Sequence, residues 1–192
     1  VEADLGYARA RIARMSYAGG PGYELYLPTE FAAGAYDALK DAGADLGLKD
    51  AGYYALDALR IEAGRRAFAA ELGPDETPLE AGLMFAVDLA GDRDFIGKQA
   101  LLEQKVLGVR KRLVMLVLSD SQAYAWGGEP ILRDGRPVGE LTSAGFSTHL
   151  GRVIGLGYIR ADKPIERAWL ETGAYAIDIA GMAVAFPVGV GL

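Results

Sequence analysis

Glu24 lies in Tyr23-Glu24-Leu25-Tyr26-Leu27, directly after the cluster Gly19-Gly20-Pro21-Gly22. The alternation reads as a strand entered from a tight turn and stopped by Pro28. A carboxylate there has two readings. It can face water at a strand edge, or it can face a pocket. His149 is the sole histidine, in the loop Ser147-Thr148-His149-Leu150-Gly151, where contact with a ligand and plain solvation both remain open. With one histidine and no cysteine, the sequence excludes multi-histidine zinc sites, disulfides, thiolate metal sites and cysteine nucleophiles. No metal site is expected. Glu62, Glu71, Glu80 and Glu103 are scattered, and helix caps or solvated faces account for them. The glycine cluster joins two strands and opens no helix, so it is a hairpin turn and not a phosphate loop. Gly155-Leu156-Gly157 interrupts a strand pattern and reads as a bulge or a close packing contact.

The chain that positions these residues has 192 residues, 51% of them hydrophobic and 24% charged, with net charge −6 and pI near 4.9. Such a chain buries a core without staples. The acidic balance, with no basic stripe, argues against a nucleic-acid partner. The absence of cysteine fits a reducing, cytoplasmic setting. Val1 to Ala10 carries Glu2, Asp4 and Arg9 and is no signal peptide, and Val1 in place of Met suggests processing or truncation. Gly173 to Leu192 holds one charge, Asp178, but turn residues at Ala180-Gly181 and Pro187 divide it into a hairpin, so no membrane partner is expected.

The spacing predicts a strand over Ala10 to Tyr17, pairing with Tyr23 to Leu27. Thr29 is placed as the N-cap of a helix with Phe31, Ala35 and Leu39 on one face. A second helix carries Tyr53, Leu56, Leu59 and Ala63 and stops at Gly64. Thr77-Pro78-Leu79-Glu80 is a capping box opening a short turn. Phe85 to Leu89 reads as extended, and a third helix follows Phe95-Ile96-Gly97. After Lys111 the period changes. Leu113 to Leu118 is a buried strand, Asp134-Gly135 marks a type I′ hairpin, and Val153 to Ile159 is another strand. The chain therefore divides into residues 1–108, an α+β lobe, and residues 109–192, an antiparallel β barrel or sandwich.

Five ordered segments carry a family resemblance. Arg14-Met15-Ser16-Tyr17 through Gly22-Tyr23-Glu24-Leu25-Tyr26-Leu27-Pro28 resembles R-x-S-Y-x-G-E-x-G-x-E-[LI]-Y-x-P of the glycine cleavage T-protein (aminomethyltransferase) superfamily. Ala55-Leu56-Asp57-Ala58-Leu59-Arg60-Ile61-Glu62-Ala63-Gly64 resembles its A-x-[DN]-x-L-R-[LI]-E-x-G helix. Thr77-Pro78-Leu79-Glu80-Ala81-Gly82-Leu83, Asp94-Phe95-Ile96-Gly97-Lys98-Gln99-Ala100-Leu101 and the Thr142-Ser143 to Leu150-Gly151 loop complete the set. Tyr53-Tyr54-Ala55-Leu56 is similar to the C-terminal folate-binding region of dimethylglycine and sarcosine dehydrogenases or oxidases. Leu56 stands where T-proteins proper carry a folate-contacting arginine, and Gly20 where the family has Glu.

The resemblance implies a ferredoxin-like-type folate-binding lobe, incomplete here, followed by the family's C-terminal β-barrel domain. It implies tetrahydrofolate as ligand and a methylated amine or aminomethyl group as donor, with methylene-tetrahydrofolate as product. FAD would belong to an upstream domain. Tyr17 and Glu24 match pterin-lining residues on what read as adjacent strands, and Phe85 matches an aromatic near the pterin. Arg60 matches a family arginine, while its helix equally permits a structural ion pair with Glu62 or Glu80. The family's acidic residue near the reacting nitrogen has no match, so no catalytic residue is assigned. The chain is expected to be the C-terminal portion of a longer enzyme, with little or no activity alone. It is expected to self-associate or dock to the missing half. The alternative is a non-catalytic folate-binding or scaffold module that keeps only the fold.

Overall fold

The computed structural model describes residues 1–189, and Val190–Leu192, the end of the C-terminal hairpin segment, lie outside them. Two compact units are present, Val1–Ala63 and Gly64–Leu192.

The first unit opens with an antiparallel meander, β1 (Glu2–Leu5), β2 (Ala8–Met15) and β3 (Gly22–Tyr26). The register pairs Ala13 with Glu24 and Met15 with Gly22. A Cβ at Gly22 would lie 2.7 Å from the Met15 carbonyl oxygen, so the tight turn requires glycine there. A 3₁₀ turn, Thr29–Phe31, leads into α1 (Ala32–Gly43), and α2 spans Tyr53–Glu62.

Two sequence expectations are corrected in this unit. No side chain caps the Thr29–Phe31 turn or α1, because the 3₁₀ turn feeds straight into the helix. The α2 stripe is also displaced. Tyr53 is 89% exposed and Leu59 42%, whereas Arg60 and Ile61 are buried. Asp57, one turn earlier, pairs with Arg60 and lets a charged residue take a core position that periodicity assigns to Leu59.

The second unit begins with an irregular run. At its centre the capping box forms as expected. Thr77 N–H donates to Glu80 Oε2 at 2.9 Å, and Glu80 N–H donates to Thr77 Oγ1 at 3.3 Å. Phe85 is not in an extended segment. Met84–Ala86 is a 3₁₀ turn, closed by Val87 N–H on the Met84 carbonyl. α3 (Lys98–Leu107) follows Gly97, whose φ of +91° suits glycine.

A seven-stranded antiparallel sheet makes the rest: β4 (Lys111–Val117), β5 (Pro130–Arg133), β6 (Arg136–Ser147), β7 (Arg152–Arg160), β8 (Tyr175–Ile179), β9 (Met182–Phe186) and β10 (Val188–Gly189). A short helix, α4 (Arg167–Thr172), had no strong sequence signal at six residues. Asp134-Gly135 and Ala180-Gly181 both carry the paired positive φ values of type I′ turns, joining β5 to β6 and β8 to β9.

The strand order is β10-β4-β7-β6-β5-β8-β9. Laid flat, its edges would stand roughly 29 Å apart at about 4.8 Å per strand. Only Pro187 separates β9 on one edge from β10 on the other. The sheet must therefore roll until its edges meet. They do: Ser119 N–H donates to the Ala185 carbonyl at 3.0 Å, and the Ser119 hydroxyl donates to the same oxygen. Among the described residues the ladder does not close, so the domain is a rolled sheet and not a sealed barrel. Its interior holds Val114, Leu116, Ile131, Leu141, Ile159 and Ile177, nearly or wholly buried. Among the described residues no helix is long and apolar enough to cross a membrane.

Candidate functional site

In the first unit, Glu24 is half-buried on β3, between the exposed Tyr23 and the half-buried Leu25. Strand alternation puts Glu24 and Tyr26 on one face, and register adds Ala13 and Arg11. The Tyr26 hydroxyl donates to Glu24 Oε2. That bond, and the negative charge behind it, push the Tyr26 phenol above its ordinary range. Glu24 Oε1 takes no protein donor among the described residues.

β2 ends at Met15, so Tyr17 is not on the strand but two residues beyond it, half-buried in the glycine bend. At Gly19, within that bend, a Cβ would come to 3.0 Å of the Ala63 methyl at the end of α2. Gly20 faces open space, so the loss of the family's glutamate there costs no packing. Arg60 is 2% exposed, with its Nε–H donating to Asp57 Oδ1 at 2.7 Å.

Phe85 belongs to the second unit. It is 78% exposed on the rim of a groove of about 520 Å³ that also meets Met84, Gln104, Lys105 and Arg112. Gln104 Oε1 is buried without a hydrogen-bond donor. His149 sits exposed in the turn between β6 and β7.

One polar centre escaped the sequence reading. Glu71, expected on a cap or a solvated face, is wholly buried. Its Oε1 accepts the Thr142 hydroxyl at 2.6 Å and the Ser143 hydroxyl at 2.5 Å, and its Oε2 accepts Ala67 N–H at 2.9 Å. Successive strand residues normally point to opposite faces. Here the β6–β7 register shifts between Leu141 and Ser143, leaving Thr142 as an extra residue. This bulge re-aims the strand so that adjacent hydroxyls reach one oxygen. The same shift accounts for Gly155 and Gly157 on the facing strand. A Cβ at Gly157 would come within 2.6 Å of the Glu140 carbonyl oxygen, so the bulge and the close packing are both present. The Thr142-Ser143 pair had the signal, but its partner lies about seventy residues away in a segment without periodicity.

Tyr158 closes this centre by donating its hydroxyl to the Glu71 carbonyl at 2.9 Å. Burial raises its phenol well above the ordinary value, reinforced by Glu76, Glu80 and Glu71. The sign follows from linkage. The unfolded chain ionises this tyrosine near pH 10 while the folded one keeps its proton, so its contribution is whole below about pH 10 and drains away above it. Urea unfolding between pH 8 and 11 should show stability falling beyond about pH 10. Tyr158→Phe should start about 1 kcal/mol lower, from the lost hydrogen bond, and fall less steeply. Equal slopes would mean that other groups govern the alkaline limb.

A family model described as the GCVT N-terminal domain matches residues 1–91, and the glycine cleavage T-protein C-terminal barrel domain matches residues 111–190. The mitochondrial pyruvate dehydrogenase phosphatase regulatory subunit of Mus musculus is 39% identical over 192 residues, covering 94% of this chain and 22% of its own. Mitochondrial sarcosine dehydrogenase of Mus musculus is 38% identical over 180 residues, covering 93% of this chain and 20% of its own. The crystal structure of glycine cleavage system aminomethyltransferase T from Bartonella henselae superposes with TM-score 0.77 at 28% identity, over 92% of this chain and 47% of that one. The chain thus spans about a fifth of the length of these two curated relatives.

Proposed function

Because this chain belongs to the glycine cleavage T-protein superfamily, we propose that it is the folate-binding C-terminal portion of a one-carbon-transferring enzyme of the aminomethyltransferase or dimethylglycine/sarcosine dehydrogenase type. The observation that carries this reading is the Glu24 carboxylate. It is held on one oxygen by Tyr26 and open on the other. A pterin edge offers two parallel N–H donors, and one carboxylate accepting both makes a directional, charge-assisted pair. The residues present fit that group.

Bound tetrahydrofolate would supply the amine nitrogen that accepts a one-carbon unit from an aminomethyl or iminium donor. Glu24 would orient the pterin, and Tyr26 would fix the carboxylate's rotamer. Tyr17 would line the same site from the bend. Arg60, buried against Asp57, would hold α2 in place. Phe85 lies in the second unit, and its role as a ring face for the flat ligand is carried by the family match. No catalytic residue is assigned to this chain. Proton transfer near the reacting nitrogen would come from beyond it, as would any FAD. The isolated chain would have little activity, and would self-associate or dock to the remainder of the fold. On this reading the functional boundary falls at Gly108, with residues 1–108 serving folate and residues 109–192 forming the second domain. A cytoplasmic location rests on the absence of cysteine, although the two mouse relatives are mitochondrial.

Glu24→Gln in the intact protein should weaken tetrahydrofolate binding by about 1.5–3 kcal/mol, the worth of a hydrogen bond to a charged group. Unchanged affinity by calorimetry would leave Glu24 as a partner of Tyr26 and nothing more. A second reading, a non-catalytic folate-binding or scaffold module, is favoured by the similarity to a regulatory subunit. Binding without methylene-tetrahydrofolate formation in the intact protein, donor supplied, would select it.

A further inference from the structure

The second unit contains a larger concavity. It has a volume of about 710 Å³ and lies where the β5–β6 hairpin and the end of β7 meet α4. That volume is in the usual range for small-molecule sites. Arg133, Arg136, Arg160 and Lys163 line it, against only two carboxylates, Asp134 and Asp162. In a chain of net charge −6 this is a local reversal of sign.

The cations differ in their commitments. Arg133 is locked in place. Its Nη1 pairs with Asp134 at 2.5 Å, its Nη2 donates to the Trp169 carbonyl at 3.0 Å, and its guanidinium lies 4.3 Å from the centre of the Trp169 ring. Asp134 is equally committed, because its other oxygen accepts Ala174 N–H at 3.0 Å. The side chains of Arg136, Arg160 and Lys163 make no hydrogen bond or ion pair among the described residues. Arg136 stands directly across the hairpin from Arg133, and opposed like charges destabilise a sheet. Three unengaged cations around a walled groove with an indole at one side are arranged to receive negative charge.

We infer that this groove binds a small polyanion, a molecule bearing two or more phosphate or carboxylate groups. Pro137, Pro164 and Trp169 supply an apolar wall for its body. Arg136 and Arg160 offer forked donors that match either oxyanion, and Lys163 adds a point charge. The groove lies wholly in the second unit and is independent of Glu24.

The test reads Trp169 directly. The chain has two tryptophans, so in a Trp126→Phe background Trp169 is the sole indole. The protein is titrated with sodium pyrophosphate and, separately, sodium citrate, at ionic strength held constant with sodium chloride. A saturable fluorescence change is expected with at least one. A response to pyrophosphate alone identifies a phosphate site, and a response to citrate alone a carboxylate site. Arg136→Gln combined with Lys163→Gln should raise the midpoint about tenfold or more while leaving the thermal midpoint in place. No saturable change with either anion overturns the inference, as does a midpoint indifferent to the double substitution. Binding of poly-aspartate with neither small anion also overturns it, assigning the surface to an acidic macromolecule.

Discussion

Glu71→Ala is expected to lower the stability of the second unit by about 3–5 kcal/mol, the summed cost of several buried donors losing one acceptor, less what relaxation recovers. The substitution strands several groups at once. The Thr142 and Ser143 hydroxyls and the Ala67 amide lose their acceptor. Each buried donor left unpaired costs on the order of 1–3 kcal/mol, though Thr142 keeps a second acceptor in the Leu156 carbonyl at 3.0 Å. Glu71→Gln should fall between wild type and Ala. It preserves the shape but puts an NH₂ group where one carboxylate oxygen accepts a backbone or hydroxyl donor. Urea denaturation of the three proteins, compared by midpoint at constant slope, checks this. A loss below about 1 kcal/mol for Glu71→Ala would mean that the loop releases and rehydrates, and that the bulge at Thr142 serves some other purpose.

The glycines of β6 and β7 should give a graded series. A Cβ at Gly139 would lie 1.8 Å from the Tyr158 carbonyl oxygen, at Gly157 2.6 Å from that of Glu140, and at Gly155 3.0 Å from that of Ser143. In each case the nearest obstacle is backbone inside a central sheet, with β5 and β7 flanking β6 and β4 and β6 flanking β7. Gly139→Ala must push β6 off β7, and the expected cost is at least about 3 kcal/mol, the upper end for overpacking. Gly157→Ala should cost less and Gly155→Ala least. Denaturant midpoints in any other order would show that the strands breathe apart at one end and not the other.

What could be read from the sequence was local. The capping box at Thr77 to Glu80 and the turns at Asp134-Gly135 and Ala180-Gly181 depend on neighbours within four residues, and each formed where its residue types demand. Glu24 was equally accessible, because period-2 alternation places it on β3 without reference to the rest of the fold. The failures were non-local. Periodicity assigns the buried face of α2 to Leu59, but pairing with Asp57 made Arg60 a core residue. Tyr17 seemed to continue β2, yet the paired register stops at Met15 opposite Gly22. Glu71 was hidden because its carboxyl is defined by hydroxyls from a distant bulge, and a bulge leaves only two glycines and a Thr-Ser pair as traces.

The seam at Pro187 bears on the order in which the rolled sheet assembles. β5–β6, β6–β7 and β8–β9 are hairpins between consecutive strands and can form early at small entropic cost. The pairing of β10 with β4, which includes Val188 with Leu116 and Gly189 with Met115, joins segments on the order of seventy residues apart. Closing so long a loop gains little until the intervening strands have already brought β4 round to meet it. This pairing should therefore be the last contact made in folding and the first released in partial opening. In native-state hydrogen exchange, the Ser119 amide, which donates across the seam, should lose protection at a lower opening free energy than the β6–β7 amides. Simultaneous exchange of both sets would instead make the roll a single cooperative unit, with its seam as firm as its centre.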